Sequence, residues 1–263
     1  MPAPLTLPRI AWGDPSASHR ALLVHGLGSS GALMWRLGDA LAEAGWHATA
    51  VDLRGHGDAP RSLDYTVAAF GADLVSTAPD AGGAWDAVIG HSLGGAASTV
   101  AAASDPEWTR RLVLIDPAIH VDGRDASIVR RSQERAFADS RIEVVQQEHP
   151  HWHPQDHELK IDAVRRASAW AVEQTSAQNQ PWDVRAHAAR LTVPTHVIAA
   201  DPAVYSIFTG DLAAEVLAAN PRITMSVVEG AGHSLHRDKP EEAIRQLQEA
   251  LACGALSDRR EPK

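Results

Sequence analysis

VIGHSLGGAAS (88–98) places a serine, Ser92, in the pattern G-x-S-x-G, between Gly90 and Gly94. A short apolar run precedes it and a run of small residues follows. A strand before such a serine and a helix after it raise its hydroxyl on a tight turn, clear of the backbone. The helix N-terminus also favours negative charge developing nearby. The plain alternative is a serine that only caps the helix; the strand-to-helix context argues against it. A serine hydroxyl is a weak nucleophile until a base takes its proton. His233, in VVEGAGHSLHRDKPEE, follows the last expected strand and precedes the last expected helix. It is the expected base, and His236, three residues on, ranks below it. An imidazole base in turn needs an orienting carboxylate. Two aspartates end strands late in the chain, Asp116 in LVLIDPA and Asp201 in HVIAADPA, and both satisfy the order Ser, Asp, His. Asp201 ends the strand just before the strand and loop of His233, so it is the expected partner. Asp116 is expected to order the turn before Pro117. Acyl chemistry further needs donors for an oxyanion. HGLGSS (25–30) follows the first buried strand, and the N–H groups of Leu27 and Leu93 are the expected pair. Gly26 and Gly28 let that loop turn, His25 braces it, and His91 supports Ser92 from the preceding position.

These residues must be held by an alternation of strands and helices. ALLVHG (21–26), HATAVD (47–52), WDAVIG (85–90), RLVLID (111–116), THVIAAD (195–201) and ITMSVVEG (223–230) read as strands. Residues 33–45, 64–78, 92–104, 211–220 and 240–252 read as helices. This rhythm predicts an α/β fold, a mostly parallel central sheet with helices on both faces. Ligands of such sheets sit beyond the carboxyl ends of the strands, where the residues above lie. Between Asp116 and Val193 no convincing sheet strand occurs, and the patterns are helical. That connection is too long for a simple loop. Residues 117–192 are therefore expected to form a helical cap, over a core domain made of residues 1–116 and 193–263.

Composition narrows the classes. Hydrophobic residues make up 44% and charged residues 22%, ordinary for a globular protein. A formal net charge of −9 argues against a nucleic-acid binder, which needs a basic face. Cys253 is the only cysteine, which leaves no intrachain disulfide and no thiolate metal cluster. No apolar run approaches a membrane span, the N-terminus lacks the pattern of a secretory signal, and a cytoplasmic protein is expected. EHPHWHPQDHELK (148–160) gathers His149, His151, His153 and His157 with Asp156 and Glu158, a spacing that can bind zinc. Pro150 and Pro154 break any regular helix there, so a polar turn packed on Trp152 is the better reading, with no metal and no cofactor expected. Trp35, Trp152, Trp170 and Trp182 are each either core or pocket wall.

Taken in order, HGLGSS, DLRGHG, GHSLGG, a strand-end Asp and GAGHS make the chain similar to the α/β-hydrolase superfamily, in its serine esterase and lipase-like branch with a helical cap. The resemblance covers about residues 8 to 252. It implies Ser92 as nucleophile, His233 as base, Asp201 as its partner and residues 117–192 as the cap. The expected activity is hydrolysis of a small-molecule carboxylic ester or lactone through an acyl-enzyme on Ser92. Ser92 at the elbow excludes the epoxide hydrolases and haloalkane dehalogenases, which need a carboxylate there. A carbon–carbon bond hydrolase or a thioesterase would use the same triad, and a slow-turnover ligand receptor the same scaffold. A hydroxynitrile lyase adds a lysine near the site, and Lys160, Lys239 and Lys263 are expected to lie away from it.

Overall fold

The computed structural model describes residues 3–252; Cys253 and the charged tail lie outside the described residues. The elements run β1 (Arg9–Trp12), β2 (His19–Val24), α1 (Trp35–Glu43), β3 (Trp46–Val51), α2 (Val67–Val75), β4 (Ala87–His91), α3 (Leu93–Ser104) and β5 (Leu112–Ile115). After them come β6 (His120–Val121), α4 (Gly123–Ala138), α5 (Ile142–Glu148), α6 (Pro154–Arg166), α7 (Ala169–Gln178), β7 (Trp182–Asp183) and α8 (Arg185–Ala188). The chain closes with β8 (Thr195–Ala200), α9 (Gly210–Ala219), β9 (Ile223–Val228), α10 (Leu235–Asp238) and α11 (Pro240–Ala252).

Seven strands form one sheet in the order β1-β3-β2-β4-β5-β8-β9. All neighbours are parallel except β1, which runs antiparallel to β3. Successive side chains alternate between the faces, and both faces are dry. Leu22, Val24 and Val88 join one core layer with α2 and α3, while Ala21, Leu23, Ala87 and Ile89 join another with α1 and α11. The edge strand β1, RIAW, escapes a reading by hydrophobic runs because four residues are too few to show a period. From β2 the chain crosses one way to β3, and from β3 it returns past β2 to β4. The crevice at this reversal is where ligands bind in such sheets. The loop after β2 and the turn after β4 therefore face each other.

The small residues of α3 serve close packing. Leu93 through Ala102 are all buried. A Cβ on Gly94 would fall 2.3 Å from the Val24 carbonyl oxygen, and one on Gly90 2.6 Å from that of Gly94. These obstacles are backbone, so they cannot swing aside. Gly94→Ala is expected to cost about 3 kcal/mol and to lower the thermal midpoint accordingly; an unchanged midpoint would mean that α3 can draw back from β2.

Between β5 and β8, β6 and β7 pair with each other, away from the central sheet. The rest of that stretch is helical, and α4 has no fully buried side chain. Among the described residues no helix is long and apolar enough to cross a membrane.

Candidate active site

Ser92 stands between the end of β4 and the start of α3 with φ 53° and ψ −116°. A side-chain-bearing residue with positive φ is strained, and such strain persists only where the surroundings impose it. Here the Ser92 N–H donates to the Ile115 carbonyl, and the N–H groups of Ala96 and Ala118 both donate to the Ser92 carbonyl. The serine is thus tied to the end of β5 as well as to its own helix.

His233 arrives from the loop after β9. Its Nε2 lies 2.9 Å from Ser92 Oγ and its Nδ1 lies 2.6 Å from Asp116 Oδ2. A carboxylate can only accept, so Nδ1 carries the ring proton and Nε2 is left free to accept from the serine hydroxyl. Asp116 is fully buried at the end of β5, with φ 37°. It also accepts from the Ser206 hydroxyl at 2.6 Å, from Ile207 N–H at 3.2 Å and from Ala200 N–H at 3.3 Å. Burial alone would raise its pKa. The hydrogen bond and charge of His233, with the donors Ser206 and Ile207, outweigh burial and hold the carboxyl below its ordinary range.

The expectation for Asp201 is corrected by this geometry. Its Oδ1 accepts from Ala203 N–H at 2.8 Å and its Oδ2 from Gly230 N–H at 2.7 Å. It fastens the turn after β8 to the turn after β9, and it makes no hydrogen bond to His233. The reason is strand order. His233 must reach back from β9 to a serine on β4, and β5 is the direct neighbour of β4, whereas β8 is one strand further off. Ser206 and Ile207, which hold Asp116, escape a motif-based reading; only the fold brings them there.

The supporting histidines are buried, and burial favours their neutral form. His91 Nε2 donates to the His233 carbonyl at 2.9 Å, fixing the backbone of that residue. Burial, with the nearby charges of His236, His233 and Arg237, pulls its pKa well below the usual value. His236 packs edge-on against His91 and has no bond to Ser92. In the loop after β2, His25 Nε2 accepts from Leu53 N–H at 3.0 Å and Nδ1 donates to the Gly26 carbonyl at 2.7 Å. His56, missed by the sequence reading although it lies in DLRGHG, accepts from Gly28 N–H at 3.1 Å and donates to the Arg54 carbonyl. Burial takes His25 down to about 4 and His56 to about 3. Gly26 has no room for a side chain, since a Cβ would sit 2.9 Å from His91 Nδ1.

Leu27, Leu93 and Ser92 line one mostly apolar cavity of about 40 Å³ with Val121, Val129 and Trp182. Leu93 opens α3, where the first amides have no partner within the helix. Trp182 is buried and donates to the Ala118 carbonyl at 2.7 Å, so of the four tryptophans it is both core and wall of this cavity. Trp35 and Trp152 instead donate to Asp156 and Asp238, and Trp170 is 45% exposed beside Tyr65.

The histidine-rich stretch disperses. His149 stacks on Trp152, His157 reaches the His149 carbonyl, His153 caps α6, His151 faces Asp238 and Asp156 meets Arg36. Among the described residues no group of three metal-ligating side chains forms. Lys160 departs from expectation. Its Nζ donates to the Gly28 carbonyl at 3.0 Å, against the very loop from which it was expected to be remote.

Comparison with known proteins agrees with the fold. The profile of the Alpha/beta hydrolase family matches residues 21–247. The chain is similar to Lipase LipV of Mycobacterium tuberculosis, 37% identical over 109 residues, 41% of each chain. A pimeloyl-[acyl-carrier protein] methyl ester esterase of Neisseria meningitidis is 37% identical over 102 residues, 38% of this chain and 37% of its own. The matches thus span less than half the length of these curated relatives. Among solved structures, a deformylase of Pseudomonas putida superposes with a TM-score of 0.77 at 25% identity, over 92% of this chain and 96% of that one. An esterase of Exiguobacterium antarcticum superposes with a TM-score of 0.74 at 16% identity, over 94% and 95%.

Proposed function

The chain belongs to the alpha/beta hydrolase family, and from that premise we propose that it is a serine hydrolase acting on small carboxylic esters or lactones with short acyl groups. The observation that carries this reading is the unbroken path Asp116–His233–Ser92, with its middle tautomer set by the carboxylate. Ser92 Oγ attacks the carbonyl carbon while His233 Nε2 takes the hydroxyl proton. The carbonyl oxygen becomes an oxyanion facing the Leu27 and Leu93 N–H groups, each donor contributing about 3 kcal/mol to the transition state. The C–O bond then breaks, and His233 returns the proton to the leaving alcohol. Water, deprotonated by the same imidazole, attacks the acyl-enzyme and releases the acid. Asp116 stays ionised throughout and stabilises the imidazolium.

In this reading residues 117–192 are the cap and the remainder is the core domain. The absence of any fully buried side chain on α4 supports a segment that can lift to admit substrate. The cavity at Ser92, about 40 Å³, has room for about three waters. Its small size favours a short acyl group.

Hydrolysis of p-nitrophenyl esters from acetate to dodecanoate tests the proposal. The expected profile peaks at acetate to butyrate and falls steeply beyond, and a fluorophosphonate adduct maps to Ser92 by peptide mass. No turnover together with no adduct would overturn the serine hydrolase reading. A long-chain optimum would overturn the acyl-size reading.

A further inference from the structure

The Leu27 N–H can stabilise an oxyanion only if its peptide plane is held facing the serine. Gly28, the next residue, has φ 64°. Glycine rotates at little steric cost, so this loop needs external anchors. Three successive peptide planes have them. The plane bearing Leu27 N–H has its carbonyl, Gly26 O, tied to His25. The following plane is held at both ends: Gln133 Nε2 donates to Leu27 O at 3.5 Å, and Gly28 N–H donates to His56. The third has its carbonyl, Gly28 O, tied to Lys160 Nζ at 3.0 Å. Gln133 also lies flush on the glycine, since a Cβ there would meet its Oε1 at 2.1 Å.

Two of these anchors, His25 and His56, belong to the core. The other two come from α4 and α6. Lys160 is half-buried, and among the described residues it forms no ion pair. Desolvation, with repulsion from Arg237, brings it down to about 8. An ammonium drawn from water onto a backbone carbonyl is an expensive placement for a residue that only decorates a helix.

We propose that Gln133 and Lys160 are positioning residues that clamp the Leu27–Gly28 loop, so that the cap sets the oxyanion donor as well as covering the site. The catalytic consequence rests on the serine hydrolase reading; the clamp itself does not. Substrate binding that lifts α4 and α6 without restoring these contacts would leave Leu27 misaligned, which couples closure of the cap to the chemical step.

The test compares wild type with Lys160→Met, Gln133→Leu and the double variant, and with Lys160→Arg as the conservative replacement. On p-nitrophenyl acetate, kcat of the double variant is expected to fall about tenfold to a hundredfold, the range a small misplacement of a reacting group produces. KM stays within about twofold, and Lys160→Arg retains most of the rate. A trifluoromethyl ketone, which forms the oxyanion adduct, weakens in proportion to kcat. Independently of turnover, amide hydrogen exchange in residues 25–30 accelerates at least about tenfold while residues 93–104 are unchanged. Unchanged exchange in residues 25–30 overturns the clamp. Loosened exchange with intact kcat overturns its catalytic role. A wild type inert to esters and to fluorophosphonate would sink the serine hydrolase reading, and exchange alone would then decide the clamp.

Discussion

Asp116→Asn is expected to lower kcat about 10⁴-fold, and Asp201→Asn by less than about fivefold. The first substitution keeps size but turns one carboxylate oxygen into an N–H donor. If that amide faces His233, Nδ1 must accept and the ring proton moves to Nε2. Ser92 Oγ then confronts an N–H and has no base. The second oxygen cannot avoid the problem by rotation, because Oδ1 already accepts from Ser206 and Ala200. At Asp201 the same change disturbs one of two bonds to backbone amides in surface turns. It loosens the loop of His233 slightly and leaves the proton path intact. Steady-state rates on p-nitrophenyl acetate for both variants, with thermal midpoints as a folding control, decide the matter. The reverse ranking would return the orienting role to Asp201.

Ser92→Ala is expected to reduce kcat about 10⁶-fold and to abolish the fluorophosphonate adduct, with the fold preserved. The companion variant Ser92→Gly separates chemistry from strain. At φ 53° glycine relieves the left-handed backbone, an effect opposed by its own gain of freedom in the unfolded chain, so a net stabilisation of about 1 kcal/mol is the expected upper bound. An inactive glycine variant at least as stable as Ser92→Ala fits a hydroxyl kept on a strained turn for reaction. Persistence of turnover or labelling in Ser92→Ala would place the nucleophile elsewhere.

Local patterns announced much of this molecule. Apolar β-branched runs alternating with helical spacing mark the parallel sheet, because a strand buried on both faces has no polar side to show. Gly90 and Gly94 around Ser92 mark a turn where backbone meets backbone. The loop position of His233, after the last parallel strand, places it at the carboxyl edge. Strand β1 is not legible, since its four residues, RIAW, are too short a run to show a period.

What the sequence by itself determined was therefore the layered fold, the serine on its strand-to-helix turn and the histidine that reaches it, each dictated by residues near in the chain. What only the tertiary structure decided was which carboxylate completes the path and what holds the loop opposite. Asp116 and Asp201 are equivalent as strand ends; strand order puts β5 beside the serine. Gln133 and Lys160 lie on amphipathic helices whose patterns say which residues face inward, never what they face. Their contacts join positions 106 and 132 residues apart, and such pairing follows from how the chain returns over the sheet edge, which no local spacing encodes.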